Sequence, residues 1–219
     1  MISEPRFIRS LAKWGAIVGV GVVLMYLVPK LLPLPDQVDT LFFVYQGPLM
    51  AFGFLGIYAF IRVHELTVPL FTAVVFSVTA AVSRMMFLVV QINNIHFIQG
   101  YREAAGGVEQ QAEWTNILRG VFTVQNGLNI VSDVFLDLGI ILFSVACWSH
   151  PKLGKPVAII GFVVAGLHFT FKAWTFPEAP AAAGLFDVGP YVSLWPFLVC
   201  ILILLNLKWM DRELGLSDG

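Results

Sequence analysis

Charge is what this sequence has little of. Across 219 residues there are 13 basic and 14 acidic side chains, 12 % of the chain, against 58 % hydrophobic residues. Soluble domains carry about a quarter charged residues, so a water-facing surface of ordinary size cannot be assembled from these. The formal net charge of −1 also argues against nucleic acid as a partner, because a protein that meets nucleic acid shows a basic face. Cysteine is nearly absent, and both Cys147 and Cys200 fall inside apolar runs. They read as small buried hydrophobes rather than as a disulfide or a metal site, which would need more ligands at defined spacing.

Recognisable catalytic motifs are missing too. Of the four histidines only His168 lies within an apolar run, whereas His64, His96 and His150 sit at or beyond run ends. That distribution argues against paired axial ligation of a haem. The "HEL" at His64 lacks the second histidine of a zinc-protease helix. Ser83, Ser132 and Ser193 have no G-x-S-x-G setting, and no glycine loop suited to phosphate is present. Lys172 beside Trp174 could suggest a Schiff-base lysine, but a lysine one turn from a run's end is accounted for by snorkelling. The sequence therefore assigns no catalytic residue, no metal and no cofactor.

Long apolar runs are what it has instead. A membrane-crossing helix takes about 20 apolar residues, and segments near 14–33, 40–62, 68–92, 119–147, 155–176 and 191–209 meet that length. Pro33, Pro35, Pro69, Pro151, Pro156, Pro177, Pro180 and Pro190 punctuate the joins. The expectation is an all-α bundle of six transmembrane helices forming one integral membrane domain over residues 1–219. The basic start "MISEPRFIRSLAKW" resembles a signal peptide, yet no small-residue cleavage pattern follows its apolar run, so it reads as a retained first span. With the N-terminus inside, Arg6, Arg9, Lys13, Arg62, Lys152, Lys155, Lys208 and Arg212 fall on the cytoplasmic side and Lys30, Arg102 and Arg119 outside, which orients both termini to the cytoplasm. Trp14, Trp148, Trp174, Tyr191 and Trp209 lie near run ends, where aromatic rings anchor at the interface. No repeat relates the two halves.

The connection over 93–118 is polar but contains no proline, and its one strong breaker is Gly106-Gly107 between good helix formers. This predicts that spans three and four continue outward as a helical hairpin turning at that pair. With ten or more extra residues per arm, the hairpin would project roughly 15–20 Å at 1.5 Å per residue.

Within the fourth run, Gln125, Asn126, Asn129, Ser132, Asp133 and Asp137 fall within about 140° of one another on a helical wheel. Ser144 continues that face, and Leu128, Val131, Phe135, Leu138 and Leu142 occupy the opposite one. Such a stripe faces protein or a cavity, not lipid. Arg84 in span three and Lys172 in span five are the cations within other runs, and His168 lies one turn before Lys172 on the same face. Gln46 stands beside the expected kink at Gly47-Pro48, and Gln91 continues the Ser77 and Arg84 stripe. Intramembrane ionisable groups cost roughly 2.5–3.5 kcal/mol each and are functional candidates by default. Asp133, Asp137, Asn129, Asn126, Gln125, Arg84, His168 and Lys172 are thus the candidate ligand-binding or proton-relay residues, in a cavity lined by spans three, four and five and covered by residues 177–190. The structural alternative is a buried Arg84–Asp133 ion pair that sets helix register. Gly161 with Ala165, and Gly47 with Ala51, would let neighbouring backbones approach closely.

Three function classes fit these features. One binds or transports a small or lipophilic molecule, with proton coupling through a midplane carboxylate. A second is a non-catalytic subunit or assembly factor that docks a protein partner through Phe97, Tyr101 and Trp114 of the hairpin. A third is a membrane enzyme using Asp133 or Asp137 as general acid or base on a lipophilic substrate. In each, membrane lipid is a partner.

Overall fold

The computed structural model describes residues 3–32, 35–178 and 180–216. Pro33, one of the expected breakers and the last residue of the first expected span, lies outside the described residues, as do the side chains of Lys30 and His96. The helices are α1 (Glu4–Leu31), α2 (Asp36–Ile61), α3 (Val68–Asn93), α4 (Gln99–Ala104), α5 (Val108–Cys147), α6 (Gly154–Thr175), α7 (Gly189–Val192), α8 (Leu194–Leu205) and α9 (Leu207–Glu213). A π-helical stretch, Asn94–Ile98, joins α3 to α4, and no strand occurs among the described residues.

Local chemistry explains several starts. Pro5 and Pro69 stand in the first turns of α1 and α3, where a missing N–H leaves no bond unmade. Thr67 Oγ1 accepts the N–H of Leu70 at 3.3 Å and caps α3. Pro48 is carried inside α2 without ending it. Here α2 lies so close to α3 that a Cβ on Gly47 would come within 2.7 Å of the Ala81 carbonyl and of Met85 Cβ.

Five helices are long and apolar enough to cross a membrane, or six if the bent run from Gly189 through Glu213 is one span. That last run departs from the continuous helix expected over 191–209. It bends by 63° at Asn206, whose Nδ2 donates to the Leu202 carbonyl at 2.8 Å, the kind of side-chain bond that competes with helical continuation. Helix α1 starts at Glu4, ahead of the span expected from about 14, and α5 starts at Val108, ahead of the span expected from about 119 and directly after the Gly106-Gly107 pair. Helix α5 has 40 residues, or about 60 Å at 1.5 Å per residue.

The main helices follow one another around a ring, α1 against α2, α2 against α3, α3 against α5 and α5 against α6; α8 closes it by packing on both α6 and α1. Apolar residues fill the centre. Phe143 of α5 stacks on Phe54 of α2 and meets Trp195 of α8, and Trp195 Nε1 donates to the Val157 carbonyl of α6 at 2.9 Å. The outside is apolar as well: Phe71, Val82, Met86, Val131, Ile159, Val163 and Leu167 are all exposed. An exterior of this kind suits hydrocarbon rather than water.

At the end where α2, α5 and α9 meet, His150 is buried against Phe60, Trp209 and His64. Its Nδ1 accepts the N–H groups of Lys152 and Leu153, both at 3.2 Å, and so caps the start of the α5–α6 connection. Arg9 of α1 and Asp211 of α9 pair through both carboxylate oxygens at 2.5 and 3.1 Å, tying the bent segment back to the first helix.

Candidate functional site

The polar stripe of α5 turns inward. Gln125, Ser132, Asp133, Asp137 and Ser144 are buried, whereas Val131 on the other face is exposed. Helix α3 comes close to this stripe because Gly139 has no side chain: a Cβ there would collide with Ser77 Oγ. Ser132 Oγ then reaches across to donate to the Ala80 carbonyl at 3.1 Å. On the other side α5 meets α6 through Gly161, where a Cβ would overlap Ser144 Oγ and lie 2.5 Å from Trp195 Nε1. These two glycines bring α3 and α6 within side-chain reach of the same face of α5.

A chain of polar contacts results. Arg84 Nη1 donates to Asn129 Oδ1 at 3.3 Å, and Asn129 Nδ2 donates to Asp133 Oδ2 at 3.4 Å. The same carboxylate oxygen takes Lys172 Nζ at 2.8 Å. One turn further along α5, Asp137 meets His168 Nδ1 at 2.8 and 3.0 Å. With Asp137 ionised, Nδ1–H is the donor and Nε2 is the ring nitrogen left for other partners. That nitrogen would lie 3.5 Å from a Cβ on Gly189, at the start of α7.

Six of the eight candidate residues are therefore linked within the set, Arg84, Asn129, Asp133 and Lys172 in one chain and Asp137 with His168 in a separate pair. Two are not. Gln125 is buried but its Oε1 has no hydrogen-bond partner among the described residues. Asn126 is exposed, although it lies within the stripe on the wheel, between Asp133 and Asp137. The cause is height: Asp137 and Asp133 of α5 pair with His168 and Lys172 of α6, which ends at Thr175, so Asn126 lies past the end of the neighbour it would have faced. The ion pair also differs from the one expected. Lys172 rather than Arg84 binds Asp133, and its side chain is 15 % exposed, so it is drawn inward rather than snorkelling.

Beside this network lies a cavity of about 230 Å³. Arg84, Asn129, Asp133, His168 and Lys172 form one wall. The opposite wall comes from α1 and α2, through Val22, Val23, Met50, Phe54 and Ile57, with Gln46 between the two. Asp187 of the connection before α7 and Gly189 and Pro190 of α7 complete it, as does Ser193 beyond. The first two helices were not anticipated as lining elements. Tyr26 and the apolar residues of α1 carry no intramembrane charge to mark them, and only Gln46 in α2 gave a signal. Near the α1–α2–α8 contact, Gly19, Gly53 and Cys200 pack together, since a Cβ on Gly19 would lie 2.5 Å from Cys200 Sγ. Both cysteines are free and buried.

Chemically the wall offers two kinds of group. Arg84 and Lys172 are donors of positive charge, and the buried carboxylate–imidazole pair can hold and pass a proton. No protein-family model matches the chain, and neither a curated protein nor a solved structure matches it, so function is read from this geometry alone.

Proposed function

We propose that the chain is a six-span integral membrane protein, with both termini cytoplasmic, whose interior cavity binds or transports a small or lipophilic molecule. The observation that carries this reading is the convergence of Arg84, Asn129, Asp133, Lys172 and His168 on one wall of a 230 Å³ cavity whose other wall is apolar. Such cavities, apolar with a few convergent polar groups, are the usual form of a small-molecule site. In this orientation the wall lies in the outer half of the bilayer, and the segment around Asp187 and Gly189 stands at its mouth. The Asp137–His168 pair would exchange protons with the cavity through Nε2, which supports proton-coupled movement of the ligand.

The test is native mass spectrometry of the protein extracted with its surrounding lipid. A retained small mass that disappears in Asp133→Asn, with the variant still inserted and folded, is the expected result. Equal retention by wild type and variant would sink the assignment of the polar wall.

A second reading, a subunit docking a protein partner through residues 93–118, is favoured by the exposure of Phe97, Tyr101 and Val108 and by the stacking of Tyr101 on Trp114 at 5.1 Å. With α5 about 60 Å long against a hydrocarbon core of about 30 Å, its first turns would stand clear of the membrane. Trimming residues 97–113 should then release a co-purifying protein while leaving any small ligand bound.

A further inference from the structure

Among the described residues, Arg84 is the cation of the cavity that has no carboxylate partner. Lys172 is paired with Asp133, and Asp137 is held by His168 Nδ1. No carboxylate among the described residues pairs with Arg84. Its guanidinium carbon lies 5.3 Å from the centre of the Phe87 ring, and its one hydrogen bond to a side chain goes to the neutral amide of Asn129. Asn129 offers Arg84 only its Oδ1, because its Nδ2 is a donor and is turned to Asp133. Asp187, the other acid of the lining, is exposed and accepts the N–H of Gly189 at 3.0 Å, so water and backbone already solvate it. A guanidinium has five N–H donors in a planar fork that matches an oxyanion. Held at membrane depth without a carboxylate in contact, it is costly, which an arriving anion would relieve.

We propose that the cavity takes an amphiphilic anion, with its carboxylate or phosphate head on Arg84 and its apolar chain against Val22, Val23, Met50, Phe54 and Ile57 of α1 and α2. This deepens the small-molecule reading above and rests on it. The cavity of about 230 Å³ has room for a head and the first carbons of a chain. The rest of a longer chain would pass between helices into lipid.

The experiment measures thermal stabilisation and binding of the purified full chain in a neutral maltoside detergent. The probes are decanoate, decyl phosphate, decanol and inorganic phosphate, with the two alkyl anions kept below their micelle concentrations and decanol below its solubility limit. Decanoate or decyl phosphate should raise the melting temperature saturably. Their affinity should fall at least about tenfold in Arg84→Gln, as for loss of a charge-assisted fork, and much less in Arg84→Lys, which keeps the charge. If Arg84→Gln does not fold, Arg84→Lys and the cavity-filling Met50→Trp carry the test, and Met50→Trp should weaken both alkyl anions. Decanol binding as tightly as decanoate, with no response to Arg84, would overturn the anion while leaving a cavity that binds lipophiles. Inorganic phosphate binding as tightly as decyl phosphate would overturn the apolar half. Saturable binding by none of the four would overturn both this inference and the small-molecule reading beneath it.

Discussion

Asp133 and Lys172 meet with side chains only 12 % and 15 % exposed, so neither can turn to water when the other is removed. Asp133→Asn or Lys172→Gln alone should destabilise the protein by about 3 kcal/mol, as expected for stranding one member of a buried pair. The double variant should recover most of that loss, and Arg84→Gln should not rescue Asp133→Asn, because Arg84 reaches the carboxylate only through Asn129. Melting temperatures of the four variants in one detergent check this, and additive losses would show that the pair is not coupled. Gly161 gives a second residue-scale expectation. Gly161→Ala places a methyl into Ser144 and Trp195 and should cost about 1–3 kcal/mol by overpacking. Gly166→Ala, which meets nothing within 4 Å, should be neutral or stabilising, since alanine is the better helix former. Reading α5 by period alone recovers which of its residues face inward, because burial of a stripe follows from helical geometry. It does not recover that Lys172 is Asp133's partner, because that depends on the relative heights of two helices.

Among the elements, the connection between α5 and α6 carries a pH dependence. Burial, and secondarily the nearby His64, holds the His150 imidazole well below its ordinary value, from 6.5 to about 4. Its Nδ1 already accepts two backbone N–H groups, so a proton there would displace a cap. The unfolded chain binds this proton below about pH 6.5 and the folded chain only below about 4. Stability is therefore complete above pH 6.5, falls as pH drops toward 4, and levels off below that. The loss is of order 3 kcal/mol. Denaturation curves between pH 7.5 and 4.5 should show this slope, and His150→Asn, whose amide oxygen can keep the cap without titrating, should flatten it. An unchanged slope in that variant would move the dependence to other groups. The break at Asn206 belongs to the same scale: an apolar run long enough for one helix is divided by a single side-chain amide on the Leu202 carbonyl. A hydropathy average over 191–209 does not show this, since one amide after residues 201–205 hardly changes it.

For the whole molecule, the proposed topology predicts that protease added outside sealed, oriented vesicles cuts near Gly106-Gly107, between α4 and α5. A cut there from the cytoplasmic side would invert the bundle. The sequence by itself determined that this chain is helical and apolar enough for a membrane, where the helices broadly lie, and that α5 has one polar face. Each follows from composition and a 3.6-residue period, which are properties of single segments. Only the tertiary structure decided that α1 and α2 wall the cavity, that α8 closes the ring, and that Asn126 lies past the end of α6. It also decided that Lys172 takes Asp133 and that Arg84 has no carboxylate among the described residues. Those outcomes depend on how far helices slide along one another and how closely small residues such as Gly139 and Gly161 let them approach. Burial selects that arrangement from all neighbours at once, and no single segment encodes it.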